Sequence, residues 1–322
     1  MRALLCEAYG EPADLHVREL PDPVPGPDDV VVEVLAAAVN FPDVLFIADE
    51  YQVSVPLPFT PGSEFSGRIA SVGADVTTVK VGDLVMGSCM VGGIAEQVLV
   101  PQNAVSPIPL GLDPVHAAAF KVTYQTAYHA LVTTADVQRG DWVVVLGAAG
   151  GVGTATVDVA HRLGARVIAA ASTQARAKIC AELGAEAFIG YDEENLKERI
   201  KDITGGGADL VVDPVGGRYA EQALRATRPG GMFLCLGFAS GEIPRIPLNL
   251  VLIKDVTVRG MELRTMADPG ALARAETDLA KLVAAGMAPL VVQTFDFDHA
   301  IDALRSVAER KASGKVVVQI GA

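Results

Sequence analysis

Cysteine is scarce in this 322-residue sequence, and the four present stand apart: Cys6, Cys89, Cys180 and Cys235 form no CxxC pair and no Cys/His cluster. That argues against a disulfide framework and a structural zinc lobe, and it suits four small buried hydrophobes in a reducing compartment. Positive charge is also short. Lys and Arg number 26 against 39 Asp and Glu, a formal net charge of −13, and no basic tract could follow a phosphate backbone, so nucleic acid is not an expected partner. Long apolar runs are missing as well. MRALLCEAYG is broken at Glu7, too short for a signal-peptide core, and no later segment offers the roughly 18 uninterrupted apolar residues of a membrane span. The expectation is a cytoplasmic protein that does not engage a membrane.

Half of the residues are hydrophobic, more than one compact core usually accommodates at this length, so two domains are expected. The first third is strand-like: DVVVEVLAAAV (29–39), SGRIASVG (66–73), GDLVMGS (82–88) and AEQVLVP (95–101) are short β-branched runs bounded by Gly, Pro or Asp. From Asp113 the pattern changes. DPVHAAAFKVTYQTAYHALV predicts one helix capped at Asp113 with Pro114 at its first position. Apolar strands and amphipathic helices then alternate from WVVVLG (142–147) to DVTVRGM (255–261), the signature of a parallel sheet covered on both faces. The tail gives two further helices and a closing strand, GKVVVQIGA, which would most economically rejoin the first domain's sheet.

The most informative stretch is VVVLGAAGGVGTATVDVA, in which Gly147, Gly150 and Gly153 fall between a buried strand and a helix. A sharp strand-to-helix turn needs residues without a Cβ, close approach of a pyrophosphate needs another, and the helix N-terminus supplies free N–H groups and partial positive charge. The context therefore predicts a dinucleotide site. At the end of the next strand, RVIAAASTQARAK, no acid stands ready for a ribose 2′-hydroxyl. Ser172 and Thr173 offer hydroxyls, and Arg176 and Lys178 follow, so NADP is favoured over NAD. Phe238, in LCLGFASG at a later strand end, is expected near the same crevice.

A β-rich N-terminal domain, an inserted domain opening with GAAGGVG, and a C-terminal return ending in SGKVVV together resemble the medium-chain dehydrogenase/reductase superfamily over essentially the whole chain. Within it, VNFPD (39–43), Tyr51, PLPFTPGSEFSG, VTYQTAYHAL and DPVGG are similar to the zinc-free quinone oxidoreductase branch that includes zeta-crystallin. The resemblance implies an α/β protein: a GroES-like, mostly-β catalytic domain made of 1–125 and 262–322, and a Rossmann doubly wound parallel-sheet domain of 126–261. It further implies that Asn40 and Thr126 lie by the nicotinamide, that Gly150, Gly151 and Val152 form the pyrophosphate turn, and that Ser172, Arg176 and Tyr191 line the 2′-phosphate. Tyr51 matches a tyrosine assigned as proton donor in related 2-enoyl thioester reductases; the other reading is an aromatic lid over the substrate.

Zinc-dependent members carry Cys near Asn40 and His at Ser63, and this chain has neither, so no metal is expected and Glu64 is read as a turn-fixing hydrogen-bonding residue. Two departures stand out. Asp49 occupies the place of a usual glycine two residues before Tyr51, and Lys121 adds a cation near the expected cleft mouth. The expected function is NADPH-dependent hydride transfer to a quinone or activated alkene, a small-molecule substrate. Alternatives are an enoyl thioester reductase and an NADPH-binding protein with little turnover. A homodimer through the apolar edge left by MFLCLGF and DVTVRGM is expected.

Overall fold

The computed structural model describes residues 1–265 and 268–321, which divide into two compact units, 1–122 with 283–322 and 123–282. The first unit opens with β1 (Arg2–Leu5), paired antiparallel to β2 (His16–Glu19), and continues with β3 (Asp29–Val39). At Asn40 the chain turns into α1 (Phe41–Ala48), where the Asp43 carboxylate accepts the Asn40 N–H at 2.7 Å. This helix closes at Asp49 in the left-handed conformation, φ 55°, one that Asp tolerates better than most non-glycine residues, so the missing glycine leaves the turn intact. Strands β4 (Glu64–Val72), β5 (Leu84–Ser88), β6 (Gln97–Pro101) and β7 (Val105–Pro107) follow, then the short α2 (Pro114–Ala118), whose first turn Asp113 caps by accepting the His116 N–H at 2.9 Å.

The single helix expected from Asp113 is three pieces. After α2 the chain breaks at Ala119–Phe120 and restarts as α3 (Lys121–Tyr128), which runs into a π-helical turn, His129–Thr134. The restart has a side-chain cause: Glu64 Oε2 accepts the Val122 N–H at 2.9 Å, satisfying a donor that a helix start leaves without an intrahelical partner.

The second unit is built on β8 (Trp142–Leu146), α4 (Gly151–Arg162), β9 (Arg166–Ala171), α5 (Ala177–Glu182), β10 (Ala187–Gly190), α6 (Leu196–Thr204), β11 (Ala208–Asp213), α7 (Arg218–Ala226), β12 (Thr227–Cys235), α8 (Leu248–Lys254) and β13 (Thr257–Gly260). Its six strands are all parallel, in the order β10-β9-β8-β11-β12-β13. The order reverses direction beside β8, the point at which such sheets open a crevice at their C-terminal edge. Val143 to Leu146 and Val167 to Ala170 are fully buried, which is why these strands read as unbroken apolar runs.

The helix α9 (Pro269–Ala284) lies mostly in this second unit. Polar ties on its inner face hold it there: the Tyr128 hydroxyl donates to Asp278 at 2.7 Å and Gln125 to Glu276 at 3.4 Å. The chain then returns to the first unit as β14 (Val291–Asp296), α10 (Ala300–Ala308) and β15 (Lys315–Gln319). The closing strand pairs antiparallel with β3, giving the seven-stranded sheet β14-β15-β3-β4-β5-β7 with β6 also on β3. Sequence periodicity missed β14. Its residues are mostly exposed, with no apolar alternation to mark them.

Candidate functional site

The glycine turn sits at the end of β8. Gly147 has φ 60°, and a Cβ there would lie 2.7 Å from Val215 Cγ2 in the loop after β11. At Gly153 a Cβ would lie 2.1 Å from the Gly147 carbonyl oxygen and 2.7 Å from Ala148 Cα, so α4 can approach the turn this closely only with glycine at that position. Gly150 is the N-cap in extended conformation, and Gly151 and Val152 are half-buried in the first turn of α4. The N–H groups of Gly151, Val152 and Gly153 have no intrahelical acceptor and carry the positive end of the helix dipole, a cradle suited to a pyrophosphate. Asp158 makes two contacts: it accepts the buried Tyr124 hydroxyl at 2.9 Å and, within α4, Arg162 Nε at 2.6 Å. The first ties α4 to α3, which carries the half-buried Thr126. Burial and the neighbouring Asp158 push the Tyr124 phenol far above its ordinary pKa, keeping it a donor. Sequence reasoning missed this clamp, although Asp158 on the apolar face of an otherwise buried helix was a visible signal.

The neighbouring strand ends supply the rest. Ser172 follows β9 directly; Thr173 takes the extended conformation that starts a helical turn, and the Arg176 N–H donates to its carbonyl at 3.1 Å. The Tyr191 N–H donates to Ala171 at 3.0 Å, setting Tyr191 next to Ser172, and its ring lies 4.1 Å from that of Tyr219. Burial, then the Tyr219 and Asp192 neighbours, pushes the Tyr191 phenol up to about 12. Phe238 packs over the loop after β11, where a Cβ at Gly216 would lie 2.9 Å from its ring. That loop is fixed by Asp213, whose Oδ1 accepts the Val215 and Gly216 N–H groups at 2.8 Å each, while burial pushes its carboxyl up to about 6 against those bonds. Ser172, Tyr191, Phe238 and the glycine turn thus gather at the C-terminal edge of one sheet. The role of Asp213 was not foreseen; its place at the start of DPVGG was the available signal.

The first unit holds a buried polar cluster. Asn40 donates through Nδ2 to Ser63 Oγ at 3.1 Å and to Glu64 Oε1 at 3.0 Å. Lys315, the first residue of β15, donates to Asn40 Oδ1 and Glu64 Oε1, both at 2.6 Å, and to the Val39 carbonyl at 3.3 Å. The Lys315 and Glu64 side chains are 3% and 0% exposed, so this is an ion pair removed from water. Glu64 therefore bonds backbone at the Val122 N–H, together with the Asn40 and Lys315 side chains. The ammonium opposite it, 251 residues away in sequence, was missed; a lysine opening the apolar run KVVV was its one trace. Beside it, burial pushes the Asp43 carboxyl up to about 7 against the Asn40 N–H, the Ser63 hydroxyl and the Lys315 charge, and the Cys89 thiol up to about 12. Among the described residues no three His, Cys, Asp or Glu side chains gather as a metal site.

Tyr51 lies just beyond the Asp49 turn, half-buried against the same core, its ring edge-on to Phe46 at 4.7 Å. Lys121 corrects an expectation. It is only 6% exposed, with Nζ 3.2 Å from the carbonyl oxygen of the half-buried Ala104 and 3.4 Å from Ser106 Oγ on β7. It is not an exposed surface cation.

A β-rich unit joined to a parallel-sheet unit with a glycine-turn cradle defines a dinucleotide-dependent oxidoreductase of two-domain type. Residues 26–110 match the alcohol dehydrogenase GroES-like domain, and 151–284 match a family described as zinc-binding dehydrogenase. A quinone oxidoreductase-like protein 2 homolog from Nematostella vectensis is 36% identical over 324 residues, 98% of this chain and 88% of that protein. Among solved structures, the quinone oxidoreductase of Thermus thermophilus, also solved with NADPH, is 34% identical at a TM-score of 0.88 over 99% of this chain and 100% of its own. The Escherichia coli quinone oxidoreductase complexed with NADPH is 26% identical at a TM-score of 0.93 over 99% and 100%. The chain belongs to the medium-chain dehydrogenase/reductase superfamily, among its quinone oxidoreductase-like members.

Proposed function

We propose that this protein is an NADPH-dependent, zinc-independent reductase of quinones or activated alkenes. The observation that carries the reading is the glycine cradle beside a strand end, Ser172 to Arg176, that offers hydroxyls and a cation and no acid. The N–H groups of Gly151, Val152 and Gly153 hold the pyrophosphate. Ser172, Thr173, Arg176 and Tyr191 take the 2′-phosphate, and Phe238 lines the crevice. Asn40 and Thr126 serve the nicotinamide end. The bound cofactor supplies a hydride, and with one proton this converts a quinone to its hydroquinone or an enone to the saturated ketone. Tyr51 delivers that proton, or hydrogen-bonds the acceptor oxygen as charge builds on it.

Zinc independence is supported by the cluster at Asn40. The ammonium of Lys315 already sits on Glu64 and on the side-chain oxygen of Asn40, so a cation ligated there would face a fixed positive charge. The reading includes a homodimer and a cytoplasmic location, the latter supported by four cysteines that are all free.

The test is a single-turnover mix of purified protein and NADPH with 1,4-benzoquinone, phenanthrenequinone and crotonyl-coenzyme A, following the absorbance of the reduced nicotinamide, with metal analysis of the same sample. Fast oxidation by a quinone without stoichiometric zinc is the expected result. Oxidation by the thioester alone would move the protein to the enoyl reductases, and binding without oxidation by any acceptor would overturn the reductase reading.

A further inference from the structure

Between the ends of β10 and β11 stand β9 and β8, three strand intervals or about 14 Å. Yet the ring of Tyr191, the first residue past β10, and the ring of Tyr219, in the first turn of α7, lie 4.1 Å apart at 38°. Tyr191 directly follows the C-terminal end of β10 and Tyr219 lies past that of β11, so the two rings meet at the C-terminal edge of the sheet. That is the edge at which a parallel sheet receives a nucleotide. Asp192 follows Tyr191, and its N–H donates to the Ser172 carbonyl at 3.3 Å, one hydrogen bond from the strand end where the ribose 2′ substituent is read.

An unpaired carboxylate at that place would repel a 2′-phosphate. Asp192 is paired: Arg218 Nη2 stands 2.8 Å from its Oδ1, and the Tyr219 hydroxyl donates to the same oxygen. The Arg218 guanidinium also lies over the Tyr219 ring, 4.8 Å from its centroid. One residue therefore neutralises the acid and steadies the aromatic pair.

We propose that Arg218 is a positioning residue that sets cofactor choice: by neutralising Asp192 it allows this strand end to accept a 2′-phosphate. The proposal rests on the NADPH reading above. It differs from a direct phosphate contact in one consequence, that the penalty for losing Arg218 comes from the acid it leaves bare. Because Arg218 is 72% and Asp192 42% exposed, solvent and salt screen the effect, and it is expected to be modest.

The experiment is titration of the full-length wild type, Arg218→Ala, Asp192→Asn and the double variant with NADPH and with NADH, at low and high salt, with melting temperatures as a fold control. Arg218→Ala is expected to weaken NADPH about three- to tenfold at low salt, less at high salt, with NADH unchanged. Adding Asp192→Asn to Arg218→Ala should restore NADPH binding. Equal weakening of both cofactors, or no recovery in the double variant, would overturn the proposal. A wild type that prefers NADPH while Arg218→Ala leaves that preference intact would overturn this inference alone. A wild type that binds NADH as tightly as NADPH would overturn the cofactor reading and this inference with it.

Discussion

Lys315 and Glu64 carry the largest single-residue consequence in the first unit. A buried ion pair that loses one partner leaves an uncompensated charge, which costs about 3–5 kcal/mol, whereas replacing both charges can be nearly neutral. Lys315→Met should lower the unfolding free energy by about that amount, and Lys315→Met with Glu64→Gln should recover most of it, as read by denaturant titration. Asp43 makes a separate prediction about pH. The folded protein holds this proton up to about pH 7, while the ordinary aspartate value is 3.8, so the native state binds the extra proton across that window. Stability should therefore fall as pH rises from about 4 to 7, with Asp213, pushed up to about 6, contributing in the same direction. Asp43→Asn should flatten part of that slope; an unchanged slope would mean that Asp43 ionises in the fold as it does in water. At Tyr51, substitution by Phe should lower turnover while leaving the affinity for NADPH unchanged, and unaltered single-turnover rates would make the ring a lid. The residues whose chemistry is local, the glycines and the strand-end Ser172 and Thr173, were legible in the sequence. Lys315 and Arg218 were not, since each acts on a carboxylate distant in the chain.

At the level of elements, the approach of α4 to the glycine turn is the contact on which the cofactor reading stands. Gly153→Ala would force a methyl group onto the Gly147 carbonyl and the Ala148 backbone. Because backbone cannot yield as a flexible side chain does, the variant should lose about 1–3 kcal/mol of stability or bind NADPH much more weakly. Near-normal stability and NADPH affinity together would contradict this packing. The strand-helix alternation of the second unit was readable because buried parallel strands leave continuous apolar runs. The split helix between Asp113 and Thr134 was not, because the break depends on a carboxylate from β4 meeting the Val122 N–H. The edge strand β14 escaped for the opposite reason, that its exposed residues left no pattern to read.

For the whole molecule, the open edge of the parallel sheet is the feature with a consequence for assembly. Among the described residues β13 has no outer neighbour, and close to it in sequence α8 exposes Leu248, Leu252 and Ile253 at 75%, 81% and 72%, with Val258 of β13 at 41%. Apolar groups and unpaired backbone of this kind are ordinarily covered. Light scattering at micromolar concentration should give a dimer mass, and Leu252→Glu should shift it toward monomer; a monomeric wild type would remove the dimer from the reading. Among the described residues no helix is long and apolar enough to cross a membrane. The sequence by itself determined the order of β-rich part, parallel-sheet unit and returning strand, along with the place of the glycine turn, because periodicity and glycine spacing act over a few residues. Only the tertiary structure decided what neutralises Glu64 and Asp192, where Lys121 goes and where the long helix breaks. Those outcomes are set by charges and hydrogen-bonding groups that lie far apart along the chain and meet only when the sheets close.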